Sequence, residues 1–199
     1  MLIGIIMRNG ISKMGHKIGI AYNDVITSVR KSGGVPIVIP DNNIDDYLEI
    51  CNGFILQGGN DVDNNNLEIL KVLRDKDIPT LGICLGMQEM GTLYGGKLID
   101  ISGHNGVRHE VKIISDSLLY KILETDKIMV NSRHKSAIMS PKMKVGAMAN
   151  DKVIEAINDE DLTFFMGVEW HPENMYDEDV NAKKIFDYFI KMCNDKACK

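Results

Sequence analysis

Apolar residues recur along this chain in two rhythms. Short apolar runs, bounded by glycine, proline or polar residues, predict buried strands at Leu2 to Met7, Val35 to Ile39, Gly53 to Leu56 and Thr80 to Ile83. Between them Ile18, Tyr22, Val25 and Val29 stand at helical spacing and predict a helix over 18–32, stopped by Gly33-Gly34. A short helix or turn is expected over 44–50. Leu67, Leu70 and Leu73 mark a helix over 65–75, and a helix over 85–94 ends at Gly95-Gly96. Beyond residue 96 strands dominate, at 97–99, 109–114, 127–130, 144–149, 153–158 and 164–169. Val180, Ala182, Ile185, Phe186 and Phe189 mark a terminal helix over about 178–192. The front half alternates strand and helix, and the back half adds strands to the same sheet. The expected fold is α/β: a doubly wound, flavodoxin-like, mostly parallel sheet with helices on both faces and an antiparallel extension.

Composition narrows the classes. A chain of 199 residues without repeat or Pro/Ser linker is expected to form a single domain over 1–199. With 44% hydrophobic and 26% charged residues it reads as an ordinary soluble protein. A net charge of -5 argues against nucleic-acid or anionic-membrane partners, which need contiguous basic surface. No apolar run approaches the roughly 18–20 residues of a membrane span. The N-terminus lacks a basic leader and reads as a strand, not a signal peptide. Cysteines at 51, 84, 193 and 198 form no CxxC pair and no zinc-like Cys/His set, so a reduced, cytoplasmic protein is expected. Cys193 and Cys198 read as incidental residues of a polar tail. With neither metal-ligand spacing nor a phosphate loop, no metal and no cofactor are expected.

Chemistry concentrates in three segments. Gly82-Ile83-Cys84-Leu85-Gly86 joins a strand to a helix as Gly-x-Cys-x-Gly, a nucleophile elbow carrying cysteine. Such a turn strains the backbone and presents the side chain at the carboxyl edge of the sheet. Its flanking glycines avoid collision with neighbouring backbone, and the helix N-terminus behind the sulfur favours the thiolate. A buried small cysteine between turn glycines would read the same way. Gln57-Gly58-Gly59-Asn60-Asp61 ends another strand at that edge, where the Gly59 and Leu85 N–H groups could form an oxyanion hole. Read alone, it is an ordinary loop. In Trp170-His171-Pro172-Glu173, His171 can move the thiol proton and Glu173 can hold its other ring nitrogen. An isolated His-Pro-Glu is more often surface loop.

Together, the Gly-Gly loop, Gly-x-Cys-x-Gly-x-x-Gln and Trp-His-Pro-Glu, in that order, strongly resemble the class I glutamine amidotransferase superfamily. The resemblance spans nearly the whole chain. Met7-Arg8-Asn9, Ser32 to Pro40 and Val130-Asn131-Ser132-Arg133-His134 most resemble the γ-glutamyl-γ-aminobutyrate hydrolase group, peptidase family C26. The resemblance implies a Cys84–His171–Glu173 triad that forms a γ-glutamyl thioester, with Gly59 and Leu85 as oxyanion donors. It also implies acyl-substrate contact at Gln88 and at the Gly58 loop, and places His134 at the substrate rim. His109 is read as structural. Members of the group commonly carry a long insert where only 24 residues, 60–83, separate Gly59 from Cys84 here. They often carry Arg where Leu85 stands, and Lys135-Ser136 replaces the usual His-Gln or Gly-Gln. These departures leave the triad intact and the displaced amine open.

The leading expectation is a stand-alone cysteine hydrolase of a small γ-glutamyl amide. The alternative is a glutaminase subunit feeding ammonia to a separate synthetase chain, which Leu85 and the compact size favour. A non-catalytic binding module on the same fold is the third. A homodimer is compatible with each. The acidic stretch Glu173 to Asp179 is read as solvated and capping the last helix.

Overall fold

The strands alternate in side-chain direction, and two different cores result. A computed structural model describes residues 1–40 and 44–197. Strands β1 (Leu2–Ile6), β4 (Val35–Ile39), β5 (Gly53–Leu56), β6 (Thr80–Ile83) and β13 (Phe165–Val168) run parallel in the order β4-β1-β5-β6-β13. Counted within this parallel set, that is the flavodoxin-like order 2-1-3-4-5. Antiparallel strands continue the same sheet: β12 (Ile154–Asn158), β11 (Lys144–Ala149), β8 (Asn105–Ile113) and β9 (Lys127–Arg133).

On one face Ile3, Ile5, Ile55, Leu81 and Ile83 pack with Val25 and Val29 of α1 (Asn23–Lys31). Ile185, Phe186 and Phe189 of α6 (Val180–Ala197) complete that core. On the other face Ile6, Phe54 and Leu56 meet Leu70 and Leu73 of α3 (Asn64–Asp75) and Met87 and Met90 of α4 (Leu85–Leu93). The period-two split of Phe54 and Leu56 from Ile55 is what a strand buried on both faces requires. Each such buried side chain contributes about 1.5–3 kcal/mol of hydrophobic free energy.

The expected helix over 18–32 begins instead at Asn23. Lys17–Ile20 (β3) pairs with Arg8–Ile11 (β2) as an antiparallel hairpin, Arg8 opposite Ile20. Gly15 at φ +81° makes the turn. Ile18 and Tyr22 fall at helical spacing with Val25 and Val29, yet both are exposed; tertiary pairing, not amphipathicity, sets this segment. The expected turn over 44–50 contains a short helix, α2 (Asp45–Leu48). Two further elements were unforeseen. Helix α5 (Leu118–Leu123), N-capped by the Ser117 hydroxyl, buries Leu119, Ile122 and Leu123 against Val111 and Val130. Strand β10 (Ser136–Met139) pairs with β7 (Lys97–Asp100) in a separate ribbon. Cys193 is fully buried in α6 rather than lying in a polar tail, and a Cβ on Gly53 would come within 2.3 Å of its sulfur. Cys198 lies outside the described residues. Asp179 accepts the Asn181 N–H at the start of α6, in line with the expected cap, but the stretch is not solvated throughout as expected: Glu173, Met175 and Tyr176 are buried where the 3-10 turn folds back onto the core. Among the described residues no helix is long and apolar enough to cross a membrane.

One buried ion pair joins these layers at the carboxyl edge. Arg8 Nη1 lies 2.8 Å from Glu89 Oε1, with side chains 8% and 0% exposed. Arg8 Nε also donates to the carbonyls of Gln57 (2.9 Å) and Gly58 (3.2 Å), and Glu89 accepts from Asn66 Nδ2 (3.1 Å). The hairpin, the loop after β5, α3 and α4 thus share one network. Arg8→Met strands the Glu89 charge in the interior and should lower the unfolding free energy by about 3–5 kcal/mol, whereas Arg8→Met with Glu89→Met should recover most of that loss. Urea unfolding of the single and double variants measures both.

Candidate active site

Cys84 stands alone between β6 and α4 at φ +51°, ψ -107°. A non-glycine residue at positive φ is strained and persists only where its surroundings over-determine it. Its N–H donates to the Val168 carbonyl (2.8 Å), and its own carbonyl accepts from the Gln88 N–H (3.0 Å). The flanking glycines are needed for the reason expected. A Cβ on Gly86 would lie 2.1 Å from the Leu56 carbonyl oxygen, and one on Gly82 would lie 2.7 Å from the Gly86 carbonyl carbon. Neither glycine has positive φ; close approach alone demands them.

Burial, first of all, pushes the Cys84 thiol well above its ordinary range, and Glu169 and Glu173 add to the effect. The Leu85 N–H, hydrogen-bonded to Cys84, and the Arg8 guanidinium oppose it. The helix N-terminus, through the Leu85 N–H, therefore acts in the expected direction against the larger effect of burial, which favours the neutral thiol.

His171 follows β13. Its backbone is clamped on both sides by one amide: Asn131 Oδ1 accepts the His171 N–H and Asn131 Nδ2 donates to the His171 carbonyl, each at 2.9 Å. Its Nδ1 lies 2.8 Å from Glu173 Oε1. The 3-10 turn Pro172–Met175 begins directly after His171 and carries Glu173 back beneath the ring. A carboxylate only accepts, so Nδ1 carries the proton of the neutral ring and Nε2 is left basic. A Cβ at Gly58 would come 2.9 Å from His171 Cε1 and 3.7 Å from Cys84 Cβ. The imidazole and the cysteine thus flank one point above the Gly58 backbone.

Gly59 packs beside Leu85, where an added Cβ would meet the leucine side chain at 2.7 Å. The two expected oxyanion donors therefore occupy one neighbourhood. The Gly58 carbonyl faces the Arg8 guanidinium; in a trans peptide the Gly59 N–H then points away from it. Gln57, fully buried, braces the loop through bonds to the carbonyls of Ile6 (2.9 Å) and Ile20 (2.7 Å) and from the Tyr22 N–H (2.9 Å).

A cleft of about 530 Å³ opens over Cys84, lined by Gly59, Gln88, Asp100, Arg133 and His134 among others. Gln88 borders it, but its amide donates to the Ser136 carbonyl (3.0 Å) and to Glu169 Oε1. The His134 ring is buried, its Nδ1 2.9 Å from the Ser136 carbonyl and 3.2 Å from Glu169 Oε1. Burial lowers the His134 pKa to about 4. Burial likewise raises the Glu169 carboxyl well above its usual range. Arg8, Asn131 and Glu169 were not foreseen as site residues. Arg8 and Asn131 lay within segments singled out only for family likeness, and Glu169 within a strand end.

This arrangement has parallels in known proteins. The Peptidase C26 family model matches residues 1–68 and 63–173. A glutamine-hydrolyzing GMP synthase subunit of Methanothrix thermoacetophila is 33% identical, over 72% of this chain and 78% of that protein. Gamma-glutamyl-gamma-aminobutyrate hydrolase PuuD of Escherichia coli is 25% identical, over 96% of this chain and 93% of its own length. A crystal structure of a putative GMP synthase subunit from Thermoplasma acidophilum superposes with a TM-score of 0.80 at 19% identity, covering 99% of this chain and 96% of that one. The chain belongs to the peptidase C26 family of glutamine amidotransferase-like hydrolases.

Proposed function

We propose that the protein hydrolyses a γ-glutamyl amide through a thioester on Cys84. One observation carries the reading: the Glu173-tied imidazole of His171 and the Cys84 side chain flank a single point above Gly58. Cys84 Sγ attacks the γ-carbonyl carbon while His171 Nε2 takes the thiol proton. The oxyanion so formed is met by the Gly59 and Leu85 N–H groups. The C–N bond then breaks, and His171 returns the proton to the departing amine. Water, deprotonated by His171, attacks the thioester and releases glutamate and the free thiol. The buried, neutral thiol fits this order, since its proton leaves only as attack begins. Arg133, Lys135 and Asp100 border the same cleft and could meet the carboxylate and ammonium ends of a glutamyl group; Gln88 and His134 form its wall.

A second reading has its own support. The 33% identity to a glutamine-hydrolyzing GMP synthase subunit, together with Leu85, favours a glutaminase chain working beside a separate synthetase. A panel of γ-glutamyl amides, glutamine included, separates the two. The hydrolase reading expects glutamate release by the chain alone, reduced by on the order of 10³-fold or more in Cys84→Ala. Release that needs an added synthetase chain supports the second reading, and no release under either condition overturns both.

The neutral thiol also sets a pH profile. Alkylation of Cys84 by iodoacetamide in the substrate-free protein should keep rising with pH and reach no plateau below 9.0, the ordinary value of the thiol. A plateau near neutrality, followed by intact-mass analysis, would instead reveal a preformed thiolate–imidazolium pair.

A further inference from the structure

Behind the cleft, three imidazoles converge on one carboxylate. His104 precedes β8, His109 lies within it, His134 follows β9 and Glu155 belongs to β12. The His104 ring centroid is 4.6 Å from that of His109 and 4.9 Å from that of His134. Each ring has one nitrogen engaged outward. His104 Nε2 meets Asp151 Oδ2 at 2.9 Å, His109 Nδ1 the Glu110 carbonyl at 3.3 Å, and His134 Nδ1 the Ser136 carbonyl at 2.9 Å. These partners only accept, so each neutral ring carries its proton on that outer nitrogen.

The inner nitrogens therefore present lone pairs. His104 Nδ1, His109 Nε2 and His134 Nε2 lie 3.2, 3.5 and 3.8 Å from the same atom, Glu155 Oε1. Among the described residues none of the four has a hydrogen-bond partner, and Glu155 is 0% and His104 4% exposed. Four acceptors facing one another in the interior need a positive centre. A protonated Glu155 supplies a single hydrogen and satisfies a single imidazole. A divalent cation satisfies His104, His109 and Glu155 together. Zinc bound at about 2.0–2.1 Å in tetrahedral geometry sets its ligand atoms about 3.3–3.4 Å apart, close to the 3.2 and 3.5 Å of His104 Nδ1 and His109 Nε2 from Glu155 Oε1. The outward bonds to Asp151 and to two carbonyls are those that orient ligating histidines at such centres.

We propose that His104, His109 and Glu155, whose donor atoms all lie within 4.8 Å of one another, bind a divalent cation of the zinc class. Imidazole and carboxylate donors suit that class, and three protein donors leave the fourth position of a tetrahedral ion to water. The ion ties the segments before and within β8 to β12. Asp151, with its side chain 55% exposed, marks the route in. Short-range spacing gives little sign of the site, because its carboxylate donor at 155 lies far along the chain from positions 104 and 109. The proposal does not rest on the hydrolase reading.

Metal-depleted full-length protein is titrated with Co²⁺ and then Zn²⁺. The expected result is about one equivalent of cobalt with the visible absorption of a four-coordinate ion, its displacement by zinc, and a higher melting temperature with metal. His104→Ala should abolish the band, and Asp151→Asn should weaken binding by about 10–100-fold. Cys84→Ala should leave the band unchanged. Failure of the wild type to bind either ion overturns the proposal. So does full-strength binding by a folded His104→Ala, Glu155→Gln double variant, or loss of the band in Cys84→Ala.

Discussion

The site depends on how closely α4 approaches β5. With 2.1 Å between a Cβ at Gly86 and the Leu56 carbonyl oxygen, no side chain fits between helix and strand. The helix starts immediately after β6, with Cys84 at φ +51° and its side chain between the Gly58 loop and His171. Strain of this kind costs on the order of 1–3 kcal/mol. The N–H of Cys84 to Val168, the glycine contacts and the packed core beneath over-determine the turn and hold it.

Electrostatics around the turn are arranged by buried groups rather than by surface charge. Arg8, paired with Glu89, holds the carbonyls of Gln57 and Gly58 and so orients the peptide preceding Gly59. Asn131 fixes the His171 backbone from both sides, and Glu173 fixes its ring. Burial keeps Cys84 protonated, so reactivity in the proposed mechanism is created by approach of a carbonyl and by His171 acting as base, not stored beforehand as a thiolate. The same low-polarity surroundings make unpaired acceptors around Glu155 costly, which is why that cluster calls for a cation.

Much of this was legible along the chain. Apolar runs marked all five parallel strands, and Gly-x-Cys-x-Gly and Trp-His-Pro-Glu stood at the ends of two of them. Local pattern failed where partners lie far apart. Ile18 and Tyr22 mimic a helical stripe, but pairing with Arg8–Ile11 makes 17–20 a strand. Arg8 meets Glu89, and Asn131 meets His171, across 81 and 40 residues. Cys193 looked like tail until the last helix closed over Gly53. The helix at 118–123 is only 6 residues long, too short for a periodic signal.

In the proposed mechanism Cys84, among the cysteines, is the nucleophile and His171 activates it. An electrophilic glutamine analogue followed by intact-mass and peptide mapping tests this most directly. A single adduct on Cys84 is expected, absent in Cys84→Ala and strongly slowed in His171→Ala. An adduct on Cys51 or Cys193 instead, or labelling of Cys84 at an unchanged rate without His171, would contradict it.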